Sequence, residues 1–141
     1  MNSVVKYVPS ISATAATEAV RAAIAAAEEI GVPSAVAVVD AAGHLSAFTR
    51  MDDVALQAIQ IAQDKAYTAA GFGLPTGQWH ELMTQDAPLA TGAPTGISRL
   101  ISFAGGLPIV VGGTVVGAIG VSGGHWSQDQ SIAEAGVDAI T

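Results

Sequence analysis

The chain has 141 residues, no cysteine and a net charge of −7, with half its residues hydrophobic and only 12% charged. The missing cysteines exclude disulfides, thiolate catalysis, iron–sulfur clusters and Cys-based zinc sites. The acidic balance argues against non-specific binding to nucleic acid or an anionic membrane. Mean hydropathy is +0.48, yet no apolar run reaches the roughly 18–20 residues of a membrane span, so no membrane is expected as a partner.

The N-terminus, MNSVVKYVPS, lacks a basic region followed by a long apolar core. No signal peptide is therefore expected, and the cytoplasm is the default location. The length predicts one domain over residues 1–141, with 1–11 as a short apolar arm. Weakly charged surface on so small a chain predicts a homo-oligomer.

Ser12 or Thr14 can cap a first helix running to about Ile30, with Val20, Ile24, Ala27 and Ile30 on one face. Gly31 and Pro33 end it. Ala35–Asp40 reads as a buried strand, and His44–Thr49 alternates as a half-exposed one, joined by a Gly43 turn. Asp52 or Asp53 is a natural cap for a second, alanine-rich helix from Val54 to about Ala70. A short helix is expected over Trp79–Thr84. Gln85–Gly96, with Pro88, Gly92 and Pro94, reads as an irregular loop.

Ile97–Phe103 reads as a third strand. It feeds two apolar runs, Leu107–Val111 and Thr114–Val121, linked by Gly112-Gly113 as a tight hairpin. Successive apolar residues in these runs predict strands covered on both faces. Gln128–Ile140 closes the chain as an amphipathic helix started by Ser127 or Asp129. The elements predict an α+β domain with a five-stranded antiparallel sheet and helices packed on it.

Five cations occur: Lys6, Arg21, Arg50, Lys65 and Arg99. Lys65 lies among Ile61, Ala62, Ala66 and Ala69. It either snorkels to the helix edge or faces a pocket, where it binds a carboxylate or has a lowered pKa. Arg50 stands at a strand end before a helix N-terminus, as an anion clamp or as a local partner of Asp52 or Asp53. Of three histidines, His80 and His125 sit in loops beside Trp79 and Trp126. There they can offer an imidazole and a flat apolar wall to a planar ligand. No His-x-x-x-His spacing occurs, so the local sequence supports no three-ligand zinc site. Gly120-Val121-Ser122-Gly123-Gly124 fits a nucleophile-elbow pattern, but the hydrolase sheet that pattern needs is too large for this chain. The glycine-rich turns match neither a P-loop nor a dinucleotide fingerprint.

Several segments taken together resemble one family. They are VVDAAGHL (38–45), RMD (50–52), IAQDKAYTA (61–69), GGLPI (105–109), GAIGVSGG (117–124) and IAEAG (132–136). They resemble the GlcG/HbpS-type haem-binding or haem-degrading proteins, also found as the C-terminal domain of PduO-type proteins. The resemblance runs from about residue 12 to the end. It implies a profilin-like fold with a five-stranded sheet, a large homo-oligomer (an octamer is one such size) and haem as a cofactor. Its motif positions here include Arg50, Asp52, Lys65, Gly105, Gly106, Ser122, Gly123, Gly124 and Asp129. His125-Trp126 departs from the Thr or Pro that members often carry after the double glycine.

Two functions are expected from these residues. One is tetrapyrrole binding, with Arg50 and Lys65 on the propionates and His125 or His80 as the axial metal ligand. The other is cofactor-independent lyase, isomerase or hydratase chemistry on a small anionic aromatic or keto acid. There Lys65 and Arg50 hold the carboxylate, while His125, His80 or Asp52 moves a proton. Ser122, Gly123, Gly124 and Trp126 complete the expected ligand-binding set.

Overall fold

A computed structural model describes residues 3–141; residues 1 and 2 of the arm lie outside it. The described residues form α1 (Ala13–Ile30), β1 (Ala35–Asp40), β2 (Leu45–Arg50), α2 (Leu56–Phe72), α3 (Gln78–Thr84), α4 (Ala87–Gly96), β3 (Gly106–Val111), β4 (Thr114–Ser122) and α5 (Trp126–Asp138). The strands make one antiparallel sheet in the order β2-β1-β4-β3.

The sheet is the middle of three layers. Side chains alternate along a strand, so β1 sends Val36 and Val38 to one face and Ala35, Ala37 and Val39 to the other. On the first face α1 contributes Ala16, Ala19, Val20, Ala23 and Ala27, and α5 contributes Ile132 and Ala133. On the second face α2 lays down Ala58, Ala62, Ala66 and Ala69. Their near-four-residue spacing makes one stripe of methyl groups, narrow enough for α2 to approach the β4 backbone closely. Gly120 sits at that contact. A Cβ there would collide with the Ala62 carbonyl and lie 2.6 Å from the Ala66 nitrogen.

Ser12 caps α1, its hydroxyl accepting from the Ala15 N–H, and Gly31 closes the helix at φ 71°. Replacing Ser12 with Ala leaves that N–H without its acceptor. Chemical denaturation should then show a loss of about 1 kcal/mol. Gly112 and Gly113, at φ 57° and 79°, form the two-residue turn between β3 and β4. Both central residues need positive φ there, and glycine supplies it without strain.

The structure corrects the sequence reading in five places. The sheet has four strands rather than five, because Ile97–Phe103 is irregular. Its backbone is pinned to α2 instead: the Thr68 hydroxyl donates to the Arg99 carbonyl at 3.0 Å and accepts from the Ile101 N–H at 3.2 Å. The Gln85–Gly96 stretch is mostly α4. Asp86 caps that helix by accepting from the Leu89 N–H, and Pro88 falls in the first turn, where a missing N–H costs nothing. Only Pro94 interrupts the helix, two residues before its end.

His44 precedes β2 rather than opening it. Neither Asp52 nor Asp53 caps α2: Asp53 has φ 70°, and the turn it makes moves the helix start to Leu56, behind Ala55. The cap of α5 is His125, not Ser127 or Asp129.

Candidate functional site

Arg50 and Ser122 lie at one end of the sheet, where β1 begins and β4 ends. In register there, Arg50 pairs with Ala35 and Ala35 pairs with Ser122. Two strand spacings therefore separate Arg50 from Ser122, about 10 Å. The residues share an end of the molecule but are spread across its width.

Lys65 is the largest fully buried side chain. It leaves α2 on one face of the sheet and meets Asp129 of α5, from the other face, with Nζ 3.0 Å from Oδ2. It also donates to the Val121 carbonyl at 2.8 Å. The opening it passes through exists because Gly105 has no side chain: a Cβ there would stand 2.6 Å from Nζ and 2.7 Å from the Val121 oxygen. Asp129 is held from its other side by the Gly124 N–H, which donates to Oδ1 at 3.0 Å. Asp129 also sits in the first turn of α5, where the helix dipole favours a carboxylate.

Burial lowers the Lys65 pKa from its ordinary value, because desolvation of the ammonium outweighs the opposing pull of Asp129. The ammonium also faces the Phe103 ring, 4.9 Å from its centroid.

Phe103 is half-exposed, and its surroundings form a groove. Gly77, His80, Ser102, Phe103, Ala104 and Trp126 line this hollow of about 330 Å³. α3 places His80; the segment before β3 places Ser102–Ala104; the start of α5 places Trp126. The walls are mainly apolar and aromatic, with one imidazole. That is the composition of a site for a flat, largely apolar ligand.

His125 precedes the groove residue Trp126 and does not itself line the groove. Its Nδ1 accepts from the Ser127 N–H at 3.2 Å and contacts the Ser127 hydroxyl at 2.7 Å, while the His125 backbone N–H donates to the Gln128 side-chain oxygen. The pattern is a capping box with an imidazole in place of the usual hydroxyl. The His125 ring lies 5.1 Å from the Trp126 ring, centroid to centroid.

The structure thus brings His80 and Trp126 together and puts Lys65 behind Phe103. Arg50 and Asp52 are exposed at the far edge of the sheet, and none of the described hollows is lined by both Arg50 and Lys65. Ser122 is buried. The close approach allowed by Gly123 and Gly124 is taken up by this chain's own Pro33, Val32 and Gln128. No group of three His, Asp or Glu side chains suited to a metal occurs among the described residues. Ser102, Phe103 and Ala104 carry no site signal in the sequence, where Ile97–Phe103 reads as a strand and Ala104 as the link after it. The capping-box signal was legible in the Gln128 that follows His125 by three positions.

Comparison with known proteins places this architecture. A family model described as "haem degrading protein HbpS-like" matches residues 11–138. An uncharacterised 15.0 kDa protein of Citrobacter freundii, from the dhaT–dhaS intergenic region, is 36% identical over 136 residues, 96% of each chain. The crystal structure of ORFY from Klebsiella pneumoniae superposes with a TM-score of 0.93 at 31% identity, covering 99% of this chain and 97% of that one. A structure of PduOC in complex with haem superposes at 0.86 with 28% identity, covering 94% and 96%. Full-length PduO of C. freundii, a corrinoid adenosyltransferase, is 36% identical over 123 residues, and this chain spans 36% of its length. With the family model spanning nearly the whole fold and the solved relatives sharing its layers, the chain belongs to the family of haem-degrading HbpS-like proteins.

Proposed function

We propose that this protein binds haem or a related tetrapyrrole in the groove between α3, the Ser102–Ala104 segment and Trp126. The observation that carries this reading is the groove's lining: two aromatic side chains, Phe103 and Trp126, and a single imidazole, His80, in an otherwise apolar hollow. Phe103 and Trp126 would pack against the macrocycle, and the His80 imidazole would hold its metal. When bound, the group supplies redox and oxygen chemistry. The chain's own contribution is an apolar wall that excludes water and an imidazole held on a helix. The haem complex of PduOC supports the ligand class.

In this reading the metal-ligand role expected of His125 passes to His80, because His80 lines the groove and His125 does not. Arg50 and Asp52 lie outside the groove, and Lys65 acts from behind it, through Phe103. Self-association belongs to the same proposal: Val4, Val5, Tyr7 and Val8 of the arm are strongly exposed, and a second copy would cover them.

Titration of the purified protein with hemin tests the reading. A saturable Soret shift is expected, with His80→Ala losing the imidazole-ligated spectrum and His125→Ala keeping it. Trp126→Ala should weaken binding roughly tenfold, the loss of about 1.5 kcal/mol of aromatic contact. An unchanged Soret band throughout the wild-type titration would sink the proposal.

A further inference from the structure

A second hollow, of about 410 Å³, opens between the turn after β1 and the C-terminal half of α2. Ala41–Gly43, Tyr67, Thr68, Gly71, Phe72, Ile97 and Ser98 line it, and it shares no residue with the groove. Its volume is that of a small-molecule site, and Tyr67 and Phe72 give it two aromatic walls.

Arg99 stands beside it, next in sequence to the lining residue Ser98. Its guanidinium stacks on the Tyr67 ring, 3.9 Å from the centroid, and its Nε donates to Asp64 Oδ1 at 2.7 Å. Neither Nη1 nor Nη2 makes a hydrogen bond among the described residues. One edge of the guanidinium is therefore anchored, and the other remains a paired donor fork at a partly exposed position.

The backbone is shaped to hold it there. Arg99 adopts φ 62°, one of two described non-glycine residues with positive φ. That conformation is disfavoured for a side chain as large as arginine. Buried Thr68 enforces it, bonding the Arg99 carbonyl and the Ile101 N–H.

The geometry points to a second binding site, in which this hollow takes the flat body of an aromatic carboxylate and the free edge of Arg99 takes its carboxylate group in a bidentate pair. A planar body suits the Tyr67 and Phe72 walls, and a carboxylate matches the spacing of the fork. Asp64 already balances one unit of charge, so the carboxylate is held by directed hydrogen bonds more than by net attraction.

The test uses 2-naphthoate and its neutral counterpart 2-naphthamide as probes, with binding read by saturation-transfer NMR on the full chain. Saturable binding of 2-naphthoate is expected, with the amide at least tenfold weaker. Arg99→Gly should lose at least tenfold while folding normally, since glycine accepts φ 62° without strain. Ser98→Trp, which puts an indole on a lining residue of the hollow, should lose as much with the guanidinium intact. Both variants should titrate with hemin as the wild type does, which separates this site from the groove. Equal binding of acid and amide, wild-type affinity in both variants, displacement of 2-naphthoate by hemin, or no binding at all would each overturn the proposal.

Discussion

Lys65→Met should lower the unfolding free energy by about 3–5 kcal/mol, enough to bring a domain of this size near its stability limit. The cause is not the lost attraction but the charge left behind. Asp129 is almost fully buried, and with Lys65 gone its Oδ2 has no partner among the described residues. The Gly124 N–H still reaches Oδ1, but a single backbone donor does not solvate a carboxylate. The double variant Lys65→Met/Asp129→Asn should recover most of the loss, because two neutral side chains carry no such penalty and Asn can still accept from Gly124. Urea denaturation of the single and double variants checks this. A single variant as stable as the wild type would show that the pair contributes nothing.

The same pair fixes the sign of a pH effect. Burial lowers the Lys65 pKa in the folded state, while the unfolded chain keeps the ordinary value of 10.5. Above 10.5 the amine is neutral in both states and the shift contributes nothing. Below the folded value it is charged in both states, and the full cost of a buried ammonium opposes folding. Between the two values the unfolded chain binds more protons, so stability rises with pH. The wild type should therefore gain stability relative to the double variant as pH climbs towards 10.5. A difference that is flat or falling across that window would contradict the lowered pKa.

Gly120→Ala should cost about 3 kcal/mol, near the upper end for overpacking. Its backbone is not unusual; the problem is space. One methyl group would meet the Ala62 carbonyl and the Ala66 nitrogen, both main-chain atoms of α2. Neither can rotate aside, so the whole helix must lift from the sheet and loosen the alanine stripe of Ala58, Ala62, Ala66 and Ala69. Gly112→Ala offers a contrast. Its penalty comes from φ 57°, with nothing within 4 Å of the added methyl, and should stay near 1 kcal/mol. Thermal melts of the two variants should separate packing from conformation, and equal shifts would refute the packing account.

The sequence by itself determined the elements with a strong local signature. The alanine periodicity of α1 and α2, the consecutive apolar residues of β1 and β4 and the Gly112-Gly113 turn needed no distant partner to be read, because period and φ preference are local properties. The motif series from residue 38 to 136 likewise gave the family. The chain between 85 and 103 hides its structure for an equally physical reason. Pro88 looks like a helix breaker unless Asp86 is known to cap just before it, and Ile97–Phe103 looks like a strand unless Thr68 is known to seize its backbone.

Only the tertiary structure decided what Lys65 does. The sequence left it between a snorkelling surface residue, an anion receptor and a lysine of lowered pKa. The choice rested on Asp129, 64 positions away and on the opposite layer of the sheet, and on a gap that a missing Gly105 side chain leaves open. The groove was hidden for the same reason: His80, Phe103 and Trp126 come from three separate segments. Local pattern fixes which elements form, but a site made from distant segments exists only once packing has set how those elements stand against one another.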